Sequence, residues 1–199
     1  ETNLGTIDCE YIVLCAGMWS RQIGEAAGVS IPLYPNEHFY MITEDYKNLP
    51  KTLPTFRDPD KYLYIREYHK KIMIGIFEPN AKNAFKKKGI IPNNFSFGEF
   101  KVDKKYIKML HNLAAKRIPN IKDFKIEKYF SGPESFTPDS NFLLGETEEI
   151  KNFYVCCGFN SIGIGSGGGA GKTIAELMVR GHNNQDMFSL DIKRFEKFN

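Results

Sequence analysis

The segment Phe153–Gly181, FYVCCGFNSIGIGSGGGAGKTIAELMVRG, constrains this chain more than any other stretch. An apolar, β-branched run feeds seven glycines between Gly158 and Gly171, and residues at helical spacing follow, so the order is strand, glycine loop, helix. The helix is expected from about Ala170 to Arg180, ended by Gly181. Three readings compete for the loop. A phosphate loop needs G-x-x-x-x-G-K-[ST]; counted back from Gly171, Lys172 and Thr173, the first glycine falls on Ser166. A dinucleotide fingerprint, G-x-G-x-x-G, is met by Gly163, Gly165 and Gly168, but no second strand with an acidic residue follows. The third reading is a glycine turn that aims helix amides at an anionic or electron-rich ring.

Bulk properties narrow the classes. A chain of 199 residues, 42% hydrophobic, can bury a core in one domain or two small ones. Net charge is +3, and the single basic cluster, KNAFKKKG around Lys87, has no interleaved aromatics, so it reads as a solvated loop and no nucleic-acid partner is expected. Cys9, Cys15, Cys156 and Cys157 lie in apolar runs without metal spacing; they read as buried, reduced thiols, and no metal site is expected. No stretch reaches the length of a membrane span and no signal peptide is visible, so a soluble chain of the cytoplasm, or of the mitochondrial matrix in a eukaryote, is expected.

Along the chain, residues 1–35 contain a strand at Tyr11–Cys15, a turn at Gly17 and a short helix from about Trp19 to Ala27 stopped by Gly28. A parallel strand needs neighbours, and the absence of an earlier βαβ partner makes the N-terminus read as truncated, with a free sheet edge that suits a homodimer. Residues 36–135 alternate like antiparallel strands: EHFYMIT, then YLYIREYHKKIMIGIFE as two strands about His69–Lys71, then FKIEKYFSGPESF. Between them a helix capped by Asp103 places Tyr106, Leu110, Leu113 and Ala114 on one face. Residues 136–199 return to strands at Phe142–Leu144 and Phe153–Cys157 and to the glycine loop and helix. The fold class is α+β or α/β: a nucleotide-associated domain interrupted by an antiparallel sheet covered by a helix.

YIVLCAGMWSRQIGEAAG, NEHFYMIT, YLYIRE with GIFE, SGPESFTPDSNFLLGE and FYVCCGFNSIGIGSGGGAGKTIAELM, in that order, resemble the C-terminal half of the FAD-dependent amine oxidoreductases, the D-amino-acid-oxidase-like superfamily, in its dimethylglycine and sarcosine dehydrogenase branch. The resemblance covers nearly the whole chain. It implies an incomplete FAD-linked domain: the Rossmann strand, G-x-G-x-x-G and ribose-binding acid of the family are not in these residues, nor is the folate-binding region that follows in the dehydrogenase branch. The implied activity is oxidation of the C–N bond of an N-methylated glycine-type amine by hydride transfer to FAD, with folate as a further cofactor through that downstream region. Two alternatives remain: a non-catalytic regulatory homologue, which the same branch includes, and a phosphate- or nucleotide-binding module.

The resemblance also implies roles. Ala16, Gly17 and Trp19 would touch the flavin, and Gly158, Phe159, Asn160, Ser161, Ile162, Gly163 and Ile164 would form the turn against its pyrimidine ring, with helix-start amides stabilising the reduced form. Lys172, about one turn into the expected helix, would help neutralise it, against the plainer reading of a surface lysine. On the inserted sheet, alternation puts His38 with Tyr40, and Tyr62 with Tyr64 and Arg66; His38 and Tyr64 are the catalytic candidates, and Tyr40, Tyr62 and Arg66 the substrate-binding ones, Arg66 for a carboxylate. Phe136 stands where the family often has Tyr. Pro138 and Asp139 read as a structural turn, and His69, His111 and His182 receive no role.

Overall fold

The computed structural model describes residues 2–50, 52–77, 79–86 and 89–195. In chain order the elements are β1 (Ile12–Leu14), α1 (Ser20–Ala27), β2 (Tyr34–Thr43), β3 (Phe56–Asp58), β4 (Leu63–Tyr68), β5 (Lys71–Ile76), α2 (Lys104–Ala115), β6 (Ile126–Phe136), β7 (Leu143–Glu146), β8 (Phe153–Cys157) and α3 (Gly163–Arg180). The chain divides into two compact units: residues Glu1–Pro35, Phe85–Pro92 and Glu134–Asn199 form the first, Asn36–Ala84 and Asn93–Pro133 the second. The short return of Phe85–Pro92 to the first unit was invisible in the sequence. A reciprocal amide pair holds it there, Gln22 Nε2 donating to the Ile91 carbonyl at 3.1 Å and Ile91 N–H donating to Gln22 Oε1 at 2.7 Å. Lys87 and Lys88 of the basic cluster lie outside the described residues.

The first unit is a mixed sheet ordered β1-β8-β7, with β1 parallel and β7 antiparallel to β8. One core cluster joins Leu14, Val29, Ile31, Leu33, Leu143, Phe153 and Val155; a second seats Ala170 and Ile174 of α3 on Leu144 and Tyr154. Helix α1 ends where expected, with Gly28 at φ 81°, a left-handed cap that a side chain would strain. Helix α3 corrects the expectation. It begins at Gly163 and not near Ala170, so six of the seven glycines lie inside the helix. Each glycine costs about 1 kcal/mol relative to alanine in a helix, which is why local propensity pointed to a loop; the seating of Ala170, Ile174 and Leu177 and the left-handed residues ahead of Gly163 override it. Cys9 and Cys15 are exposed and not buried, because β1 is an edge strand with a neighbour on one side only, whereas burial pushes the Cys157 thiol up to about 12.

The second unit is a five-stranded sheet ordered β3-β4-β5-β2-β6, with antiparallel β3–β4, β4–β5 and β5–β2 pairs. Period-two alternation turns Phe39, Met41, Leu63, Ile72, Ile74 and Ile76 to one face, where they pack with Leu110 and Ala114 of α2 and with Ile121. Asp103 caps α2 by accepting from Lys105 N–H at 2.9 Å. The hairpin turn after β4 comprises His69 and Lys70, both at positive φ. Strand β3 was not anticipated: it is three residues long and ends at the buried Asp58, which accepts from Arg117 Nε at 2.5 Å.

Leu110 is fully buried between α2 and the sheet. Leu110→Ala is expected to lower stability by about 2–5 kcal/mol in urea unfolding, whereas Lys108→Ala on the exposed face of the same helix should change it by less than about 0.5 kcal/mol. Equal, small effects would contradict the seating of α2 on the sheet.

Candidate functional site

In the first unit, the ends of two parallel strands lie side by side. Leu14 of β1 registers with Val155 of β8, so Ala16, Gly17 and Trp19 follow one strand end and Gly158–Ile162 follow its neighbour. Carboxyl ends of parallel strands are where open α/β sheets receive ligands. Gly17 (φ 56°) opens a 3₁₀ turn that ends at Trp19, and Trp19 is 36% exposed. After β8 the backbone is left-handed at Gly158, Asn160 and Ser161. Asn160 is locked there: its Oδ1 accepts from Thr137 N–H at 2.9 Å and its Nδ2 donates to the Gly158 carbonyl at 2.6 Å. Gly158 is required, since a Cβ would lie 2.8 Å from both Leu33 and Thr137 side-chain carbons. Phe159 stacks on Phe142 at 4.9 Å.

This turn delivers α3 with no side-chain cap, leaving the first-turn amides of Gly163, Ile164 and Gly165 without intrahelical acceptors. Ile164 is fully exposed, and a Cβ on Gly165, Gly167, Gly168, Gly169 or Gly171 would meet nothing within 4 Å. Five glycines of α3 therefore present bare backbone with nothing packed against it among the described residues. Lys172, expected near the helix start, is its tenth residue, about 13 Å along the axis from the first. Its Nζ lies 3.9 Å from Glu176 Oε1 and it is largely exposed, as a surface lysine would be. One residue had no signal in the sequence. Glu134 accepts a hydrogen bond from Ser161 Oγ beside the turn, and burial holds its carboxyl above the usual range.

In the second unit, His38 and Tyr64 come together although 26 residues separate them. His38 Nε2 and Tyr64 Oη are 3.0 Å apart. Tyr64 belongs to a row that crosses four strands in register: Arg57 on β3 opposite Tyr64 on β4, Tyr64 opposite Gly75 on β5, and Gly75 opposite Tyr40 on β2, two residues along β2 from His38. Gly75 has no side chain in that row, and the Tyr64 ring occupies the space: a Cβ there would lie 2.2 Å from its Cζ and Oη. Phe77 packs against both rings, 4.8 Å from the His38 ring and 5.5 Å from the Tyr64 ring. Burial lowers the His38 pKa from 6.5 to about 4, so its imidazole is neutral at physiological pH.

The other candidates on this sheet separate. Tyr40 shares the face and stacks on Phe130 at 4.8 Å, and burial raises its hydroxyl above the ordinary range. Tyr62 is not on the strand: it precedes β4 at φ 57°, closing a 3₁₀ turn, so the alternation that grouped it with Tyr64 and Arg66 does not extend to it. Arg66 donates from Nε to Met73 Sδ at 3.4 Å and lies 5.4 Å from the Tyr68 ring centre. It lines an apolar cavity of about 510 Å³ with Leu53, Phe56, Ile65, Ile72 and Ile118. No cluster of metal-ligating side chains occurs among the described residues, and no helix among them is long and apolar enough to cross a membrane.

A family model described as FAD dependent oxidoreductase matches residues 1–177. The mitochondrial sarcosine dehydrogenase of Mus musculus is 36% identical over 98% of this chain, and the mitochondrial pyruvate dehydrogenase phosphatase regulatory subunit of the same organism is also 36% identical over 98%. The chain spans about a fifth of the length of each, 21% and 22%. Among solved structures, L-proline dehydrogenase from P. horikoshii superposes with a TM-score of 0.79 at 24% identity, covering 97% of this chain and 49% of that one.

The neutral His38 makes stability depend on acid in a defined direction. The unfolded chain takes up a proton near pH 6.5 and the folded chain only near 4, so stability is lost as pH falls through that window and no further below it. The loss is on the order of 3 kcal/mol, and urea unfolding at pH 7 and pH 4.5 should show it reduced in His38→Asn. Identical acid sensitivity in both proteins would contradict a buried, neutral imidazole.

Proposed function

The chain belongs to the FAD dependent oxidoreductase family, and we propose that the whole protein oxidises a small secondary or tertiary amine carrying a carboxylate, of the N-methylated glycine kind. The observation that carries this reading is the His38–Tyr64 pair, a neutral imidazole hydrogen-bonded to a phenol on an aromatic sheet face. The 36% identity with a sarcosine dehydrogenase supports the substrate class.

The residues of the first unit fit the flavin. Gly158–Ile164 present left-handed backbone and uncapped amides, and the glycines of α3 leave room for close approach. Such amides favour an electron-rich ring over a neutral one, each by roughly 0.3–1 kcal/mol. When bound, FAD supplies the acceptor for a hydride from the carbon next to nitrogen. The second unit's work is on the amine. A secondary amine must be unprotonated to release that hydride, and in this reading Tyr64 Oη, hydrogen-bonded to His38, accepts its N–H. With a pKa near 4, His38 is too weak a base to store the proton at neutral pH. Its part is to hold the phenol, and the low polarity that lowers its pKa also disfavours a charged ammonium at this face. Passing the one-carbon product to folate remains part of the proposal for the whole protein.

Rapid anaerobic mixing of the FAD-loaded protein with sarcosine, dimethylglycine or 4-methylaminobutanoate tests this. Flavin absorbance should bleach with at least one of them, and Tyr64→Phe and His38→Asn should slow bleaching by roughly 100-fold. A protein that retains FAD yet bleaches with none would favour a non-catalytic role, the reading supported by the equal similarity to a regulatory subunit.

The glycine face has its own test. Gly168→Ala and Gly169→Ala should each stabilise the apoprotein by up to about 1 kcal/mol and weaken FAD retention through gel filtration. Stabilised variants that keep FAD as tightly as the parent would show that the bare backbone is not used by the cofactor.

A further inference from the structure

Building on the amine-oxidation reading above, we propose that Arg57, and not Arg66, anchors the substrate carboxylate. Arg57 sits directly opposite Tyr64 in the β3–β4 register, and cross-strand partners present their side chains to the same face. Its guanidinium carbon lies 5.3 Å from the Phe77 ring centre, and Phe77 stacks against both His38 and Tyr64. The cation therefore stands one ring away from the pair that receives the amine.

Charge singles out the same residue. Arg57 is exposed and has no carboxylate partner among the described residues. The nearby Asp58 is turned to the opposite face, buried, and held by Arg117. Lys128, near Tyr40, is paired with Glu99. Arg66 shares the Tyr64 face one pleat repeat further on, but its Nε is engaged by Met73 sulfur and it lines the apolar cavity. A planar guanidinium on an aromatic ring, with no carboxylate partner among the described residues, is suited to take a carboxylate through two parallel N–H donors. It would select carboxylate-bearing amines over amines lacking that group.

The test separates binding from chemistry in the FAD-loaded protein. For sarcosine, Arg57→Gln should raise KM on the order of 10- to 100-fold with little change in kcat, and Arg57→Lys should recover part of the loss. For N-methylpropylamine, which has no carboxylate, the two variants should match the parent. Calorimetric binding of methoxyacetate, which cannot be oxidised at nitrogen, should be lost in Arg57→Gln and kept in Arg66→Gln. A loss confined to Arg66→Gln, or an equal loss for both amines in Arg57→Gln, overturns the assignment. If the parent binds methoxyacetate in an Arg57-dependent way but no N-methyl amine bleaches its flavin, the oxidation reading fails while the anchor stands.

Discussion

The aromatic face of the second unit depends on a missing side chain. At Gly75 the central strand leaves a gap, and the Tyr64 ring lies in it, reaching across β5 to His38 on β2. Any Cβ at that position would collide with the phenol, so the geometry of the pair is written into the sheet. A side chain held by its strand register and by a void shaped to its ring loses little further freedom when a ligand arrives, which is the condition for precise placement. Burial of the imidazole follows from the same packing and keeps it neutral, so one arrangement sets both the position of the phenol and the protonation of its partner.

Much of this was legible in the sequence. Alternation in EHFYMIT and YLYIRE put His38, Tyr40, Tyr64 and Arg66 on strands, and helical spacing put Leu110 and Ala114 on the buried face of α2. Strand pairing was not legible, because alternation assigns a face without choosing a neighbour. The register of β3 against β4 is what brings Arg57 opposite Tyr64, and a three-residue strand has too few positions to display a period. Tyr62 failed for a related reason: it sits two residues before Tyr64, but a positive φ takes it off the strand.

The glycine segment misled in the opposite sense. Local propensity reads six glycines in a row of nine residues as loop, and the chain forms helix from Gly163 because its later turns bury Ala170 and Ile174 against β7 and β8. The position of Lys172 then shifts from the helix start to its middle, with its Nζ beside Glu176. Glu134 lay hidden because a lone glutamate in a strand carries no pattern. Only the fold shows that it meets Ser161 at the turn.

The His38–Tyr64 pair is tested by NMR of the FAD-loaded protein with labelled histidine and tyrosine rings, titrated with a thioether carboxylate shaped like the amine but lacking its C–N bond. The ring signals of His38 and Tyr64 should shift on binding, and His38 should remain neutral throughout. Saturable binding that leaves both rings unmoved would place the substrate elsewhere and contradict the role given to the pair.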